Sequence, residues 1–305
     1  MSPDGANRSY RLLDGESVSD GVRRIAAGRA EKAVERLRAI GSGEAAADEA
    51  IHGARKDLKK LRTLLRLLRG ELPKKVYAAE TARYREAGRL LSPLRDAGVK
   101  LETLEALAGG EPELPAEPAE AWRLILARDR EAAGDTAPDR AAEAEAIALV
   151  ESGRDNIEDW GVRDSWKAIS PGLERAYRCG RERMRAAREE RDDDEAWHEW
   201  RKRVKDLWYA QLLLAGAWPQ VIEPAAEEAH RLSEALGDHH DLAVLRADLH
   251  QRRLGEEETR ALEAAIERRQ GELAALALDR GARLYAERPQ DFSRRQRRYW
   301  RAWRG

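Results

Sequence analysis

The chain has 305 residues, of which 42% are hydrophobic and 37% charged. That is too apolar for a disordered chain, too charged for a membrane protein, and long enough for one large domain or two small ones. Its 56 basic and 57 acidic residues leave a net charge of −1, which excludes anion binding by bulk charge and requires any anion site to come from charge sorted onto particular faces.

Residues 1–16 read as a polar lead-in with no apolar signal core. A helix is predicted over residues 17–40, with Ser19 or Asp20 as its cap and Gly41-Ser42-Gly43 as its stop. A second helix spans residues 48–69 and ends at Gly70. A third runs from Pro73 to Leu91, and Pro93 opens a fourth that ends at Gly109-Gly110. A proline-rich acidic connection follows over residues 111–118. Two more helices are predicted over residues 119–133 and 139–159, separated by Gly134-Asp135 and Pro138. After Trp160-Gly161 the plan starts again with a helix over residues 165–190. Residues 191–194 form a linker and an acidic helix start, placed where the helix dipole favours carboxylates. A helix over residues 194–215 comes next. Pro219, Gly237 and Gly255 then divide predicted helices over 221–236, 238–254 and 256–287, and a short basic tail helix starts at Gln290.

Two of these helices carry the same pattern. His52, Arg55, Lys56 and Lys59 read His-x-x-Arg-Lys-x-x-Lys, and so do His198, Arg201, Lys202 and Lys205. At ~100° per residue, each set forms one narrow basic stripe on its helix. Arg62 and Arg66 extend the first stripe, and Tyr209 lies on the second. Leu58, Leu61, Leu64, Leu65 and Leu68 take the opposite face, so the first stripe is expected to turn away from its own core. Asp57, the only acid between His52 and Arg69, falls off the stripe. Like charges along such a face repel unless an anion relieves them. With an offset of 146 His52 meets His198, and with an offset of 145 Leu91 meets Leu236 and Asp96 meets Asp241. A repeat of this length predicts an all-α fold of a duplicated helical bundle, residues 1–160 and 161–305, whose two halves face a shared anion.

Ten of the 56 basic residues are Lys and the rest Arg, whose planar fork of donors suits phosphate oxygens. Helix geometry adds Arg83, Arg85 and Arg89 on the third helix, and Arg175, Arg178 and Arg181 at i, i+3, i+6 before the second stripe. The tail arginines, from Arg294 to Arg304, read either as a disordered basic end or as a lid over the anion site. Asp238-His239-His240-Asp241 has two readings as well. It could belong to a metal-dependent phosphohydrolase, which needs further Asp and His ligands, or Gly237 could end a helix, Asp238 cap the next and Asp241 pair with an arginine. Trp197, Trp200 and Trp208 read as core more readily than as base-stacking platforms. Cys179, the only cysteine, rules out a disulfide framework and a multi-cysteine metal site, and reads as an inert small side chain. No window approaches the ~18 apolar residues of a membrane span, so a cytoplasmic protein without a membrane partner is expected.

The two octets, with Leu236-Gly237-Asp238-His239-His240-Asp241-Leu242, Ser92-Pro93-Leu94-Arg95-Asp96 and Tyr177-Arg178-Cys179-Gly180-Arg181, resemble the CHAD domain, the conserved histidine α-helical domain. The resemblance covers almost the whole chain. It implies two helical bundles related by a pseudo-twofold with a basic cavity or channel between or along them, binding of inorganic polyphosphate there, location on polyphosphate granules in some members, and a role for His52, Arg55, Lys56, Lys59, His198, Arg201, Lys202 and Lys205. The first half lacks the Gly-Asp-His-His of the second. The resulting expectation is a non-catalytic polyphosphate binder with no metal and no cofactor. Near-zero net charge argues against a general nucleic-acid binder. His52 and His198 are expected to charge below pH ~6.5 and join the cations.

Overall fold

The computed structural model describes residues 9–40, 44–91, 96–110, 116–135, 140–252 and 256–305. The predicted stop at 41–43, the Ser92–Arg95 part of the first-half signature and most of the proline-rich connection lie outside the described residues. Among the described residues there are eleven α-helices, two short 3-10 turns and no strand. The helices are α1 (Val18–Arg38), α2 (Glu44–Leu67), α3 (Lys74–Leu90), α4 (Asp96–Gly110), α5 (Ala116–Asp135), α6 (Arg140–Asp155), α7 (Trp166–Glu189), α8 (Asp194–Leu214), α9 (Pro219–Arg252), α10 (Glu256–Leu284) and α11 (Pro289–Arg304).

Side-chain caps set two of the helix starts. Ser17, not Ser19 or Asp20, caps α1: its Oγ accepts from the Asp20 amide at 2.9 Å and donates to the Asp20 carboxylate at 2.7 Å. The cap therefore sits outside the helix, where the chain is still extended, and Asp20 serves in the first turn. Asp193 caps α8 by accepting from the Glu195 amide at 3.0 Å, with Asp194 and Glu195 in the first turn. The expected break at Gly237 is absent. α9 runs unbroken from Pro219 to Arg252, so Asp238 caps nothing. A glycine costs a helix interior up to about 1 kcal/mol, which flanking burial easily outweighs here: Leu232, Leu236, Leu242 and Leu245 are all buried on α9.

α1 packs on α2 and α6, and α3 packs on the same two, closing a ring of four helices. α7, α8, α9 and α10 close a second ring in chain order. In the first, Leu58, Leu61, Leu64, Leu65 and Leu68 of the α2 segment are 0–2% exposed, as their shared face requires. Each contributes on the order of 2 kcal/mol by burial. In the second, Trp200, Val204 and Leu207 of α8 are fully buried. The α4–α5 hairpin precedes residue 160 yet packs on α9 and α10. Leu101, Leu104, Leu107, Trp122 and Leu126 form a separate apolar cluster there with Leu245, Leu249, Leu262 and Ile266.

The basic tail is neither a disordered end nor a lid. α11 packs along α7, with Phe292 stacked on Tyr177 at 4.2 Å and Trp300 against Trp166 at 5.7 Å. Its apolar residues recur at helical spacing, so it buries one face and leaves its arginines outside. The two rings meet where α2 touches α7 and α8. Gly172 makes that approach possible, because a Cβ there would strike the backbone of Leu67.

Candidate anion-binding site

Burying the leucines of α2 and the tryptophan face of α8 in their own rings leaves the two basic stripes facing each other. Between them lies a cavity of about 700 Å³. α2 lines it with Arg55, Lys59, Arg62, Thr63 and Arg66; α8 with His198, Arg201, Lys202, Arg203, Lys205, Asp206 and Tyr209. α9 adds His240, Asp241 and Val244, and α4 adds Val99 and Lys100. Nine Arg and Lys side chains thus share the lining with two carboxylates. Gly237 acquires its purpose here: a Cβ on it would come within 2.9 Å of Arg201 Nη2, so the missing side chain makes room for the guanidinium.

A family model described as the CHAD domain matches residues 28–250, a span that contains both stripes and most of α9. The chain belongs to the CHAD domain family. A crystal structure of the CHAD domain from the plant Ricinus communis aligns with a TM-score of 0.59 at 20% identity, covering 90% of this chain and 94% of that one. At that identity the likeness is one of fold. Among curated proteins none matches.

Within this CHAD domain the sequence-predicted residues divide. Arg55, Lys59, Arg62, Arg66, His198, Arg201, Lys202, Lys205 and Tyr209 come together. His52 and Lys56 are exposed on α2 and do not line the cavity. The geometric extension onto α3 and α7 does not reach it either. Arg83 pairs with Glu80, Arg89 with Glu86 at 3.0 Å, and Arg178 with Glu182 at 3.9 Å. Arg181 donates to the Glu287 carbonyl at 3.2 Å, and Arg175 lines a neighbouring pocket. Faces of α3 and α7 that satisfied a one-helix argument were claimed by i, i+3 and i, i+4 carboxylates and by the connection between α10 and α11.

Sequence reasoning missed Arg203, Lys100, Thr63 and Asp206 and misassigned His240 and Asp241. Arg203 had a signal, since it sits inside the second octet. Lys100 had none, because only the docking of α4 on α9 brings it in, with its Nζ 2.6 Å from Asp248. Asp241 makes no ion pair within 4 Å among the described residues, contrary to the expected arginine partner. Tyr209, expected on the open stripe, is 2% exposed, its ring packed edge-on to Tyr10 at 6.1 Å. Trp197 and Trp200 are core, as expected.

His198 departs from its charge expectation. His198 stacks on His240 at 3.9 Å. Burial, and then the nearness of His240, Lys202 and Arg201, pushes His198 down to about 4. Burial and then Arg201 push His240 down as well. His198 therefore stays neutral at pH 6.5 unless an anion enters. His239, one residue along α9, points into a different pocket, where its ring stacks on Trp197 at 4.8 Å. Neighbouring helical residues diverge by ~100°, so the Asp-His-His-Asp segment does not converge on one point. Among the described residues no three His, Cys, Asp or Glu groups meet as a metal site would require.

Proposed function

We propose that this CHAD domain binds inorganic polyphosphate, or an equally phosphate-rich polyanion, in the cavity between α2 and α8 and performs no chemistry on it. The observation that carries the reading is the meeting of both stripes in one cavity whose lining is strongly basic in a chain of net charge −1. Polyphosphate has no bases to read, so only phosphate oxygens are available, and Arg forks and Lys ammoniums offer charge-assisted hydrogen bonds to them. Arg62 Nε is buried without a partner among the described residues, a donor that a phosphate oxygen would satisfy. Nucleic acid fits less well, because the aromatic rings near the stripe are packed in the core rather than offered for stacking. The same binding would attach the protein to polyphosphate granules. No described helix is long and apolar enough to cross a membrane.

The test is polyphosphate titration of the wild type and of Lys59→Ala/Lys205→Ala across a salt series. Each lost charge-assisted contact is worth about 1.5–3 kcal/mol, so loss of two should lower affinity by about a hundredfold or more, and the salt slope should flatten by roughly two counterions. An unchanged affinity and slope would sink the assignment. RNA at equal phosphate concentration should fail to displace polyphosphate, and incubation should release no orthophosphate.

A further inference from the structure

We propose that Asp206 is an internal counter-anion standing where a phosphate binds, and that behind it lies a second phosphate subsite which a polyphosphate chain enters by displacing that carboxylate. The inference rests on the polyphosphate reading above and adds a gate and a chamber to it.

Asp206 is only 6% exposed and gathers three donors from two helices. Arg66 Nη1 reaches Oδ1 at 2.7 Å, Thr63 Oγ1 reaches the same oxygen at 3.2 Å, and Arg203 Nη1 reaches Oδ2 at 2.9 Å. Guanidiniums and a hydroxyl converging on one anion is the geometry that phosphate oxygens also accept. Behind this group lies a pocket of about 250 Å³ between α2, α3 and α7. The pocket and the main cavity share four residues, Thr63, Arg66, Arg203 and Asp206, so the carboxylate with its donors is the wall between them.

The rear chamber is as basic as the front. Arg69 and Arg175 line it, and Asp206 is its only acid. Arg69 lies over the Tyr77 ring at 5.8 Å. Neither arginine has a carboxylate within 4 Å among the described residues. Such uncompensated charge beside a single internal carboxylate favours an incoming polyanion over an empty chamber. The repeat also singles Asp206 out: at the offset that pairs His52 with His198, Asp206 stands opposite Lys60 and Arg203 opposite Asp57. The gate thus belongs to one stripe and not the other. The rival explanation is a purely structural ion pair tying α2 to α8. It predicts a weaker fold on removal of the charge and no gain in binding.

Cys179, the only cysteine, lines the rear chamber and is half-buried, which makes it a reporter. Its reaction with a small uncharged thiol reagent should be slowed by long-chain polyphosphate in the wild type, and by tripolyphosphate in Asp206→Asn. Asp206→Asn should bind polyphosphate about tenfold more tightly, because the internal competitor is gone. Arg175→Ala, with Asp206 intact, should weaken long-chain binding and bind tripolyphosphate as tightly as the wild type does. A folded Asp206→Asn with equal or lower affinity overturns the gate. If that variant fails to fold, the wild type and Arg175→Ala still decide. Wild type that binds polyphosphate while Cys179 reacts at its free rate overturns the rear subsite alone. Wild type that binds no polyphosphate overturns the parent reading.

Discussion

α2 and α8 carry the same octet pattern, yet they differ at key positions off the stripe. α2 has Asp57 and Lys60 where α8 has Arg203 and Asp206. Asp57 turns into its own ring, 2% exposed, and holds Arg29 at 3.1 Å together with Arg36. Asp206 turns to the seam and holds Arg66 of the opposite helix. His52 is exposed, whereas His198 is half-buried against His240. The stripe supplies cations twice, and the off-stripe residues decide which helix lies deeper and where the counter-charge stands. Equal motifs therefore do not make equal sites.

The largest effect expected from breaking this comparison is on stability. Asp57→Ala leaves Arg29 buried without its carboxylate and should cost about 3–5 kcal/mol in denaturant unfolding. Asp206→Asn should cost less, since Arg66 is partly exposed and can reach water. Lys60 comes next. It lies near the Tyr10 and Tyr209 rings, at 5.2 and 5.9 Å, and burial, reinforced by Arg29 and Lys56, pushes it down to about 7. The unfolded chain holds this proton up to pH ~10.4, so the unfolded state binds more protons between those values and stability rises with pH across them. Lys60→Met should remove that rise and stabilise the protein at pH 7 by about 1–2 kcal/mol, measured by urea unfolding over the pH series.

A pH series on binding separates the two histidines. His198 is depressed from ~6.5 to about 4, so apo stability should fall as pH drops through that window, while the unfolded chain takes up the proton first. A bound polyanion favours the protonated ring, so polyphosphate affinity should rise over the same window. His198→Gln should flatten that rise, and His52→Gln should leave it unchanged. Gly237→Ala should preserve the fold, gaining up to about 1 kcal/mol in helix propensity, while displaced Arg201 lowers affinity several-fold. Lys56→Ala, exposed and outside the cavity, should change affinity less than about twofold at physiological salt.

Most of the helices and the content of both stripes were legible in the order of residues. Leu58, Leu61, Leu64, Leu65 and Leu68 announced a buried face at helical period, and Arg55, Lys59, Arg62 and Arg66 announced its opposite. Where the reading failed, a residue type was used without its neighbours. Gly237 looked like a helix end because glycine breaks helices, but here it clears space for a side chain of another helix. Arg83, Arg89 and Arg178 looked available because their own-helix carboxylates were not weighed against the distant cavity.

The sequence by itself determined an all-helical chain with two cationic stripes turned away from apolar faces, because 3.6-residue periodicity is a local property. Only the tertiary structure decided that the stripes meet, that α4 brings Lys100 beside them, that burial holds the His198 pKa down, and that Asp206 lines two adjoining basic pockets. Those outcomes depend on how closely remote helices approach. Contacts such as Gly172 against Leu67 set that distance, and no local pattern records it.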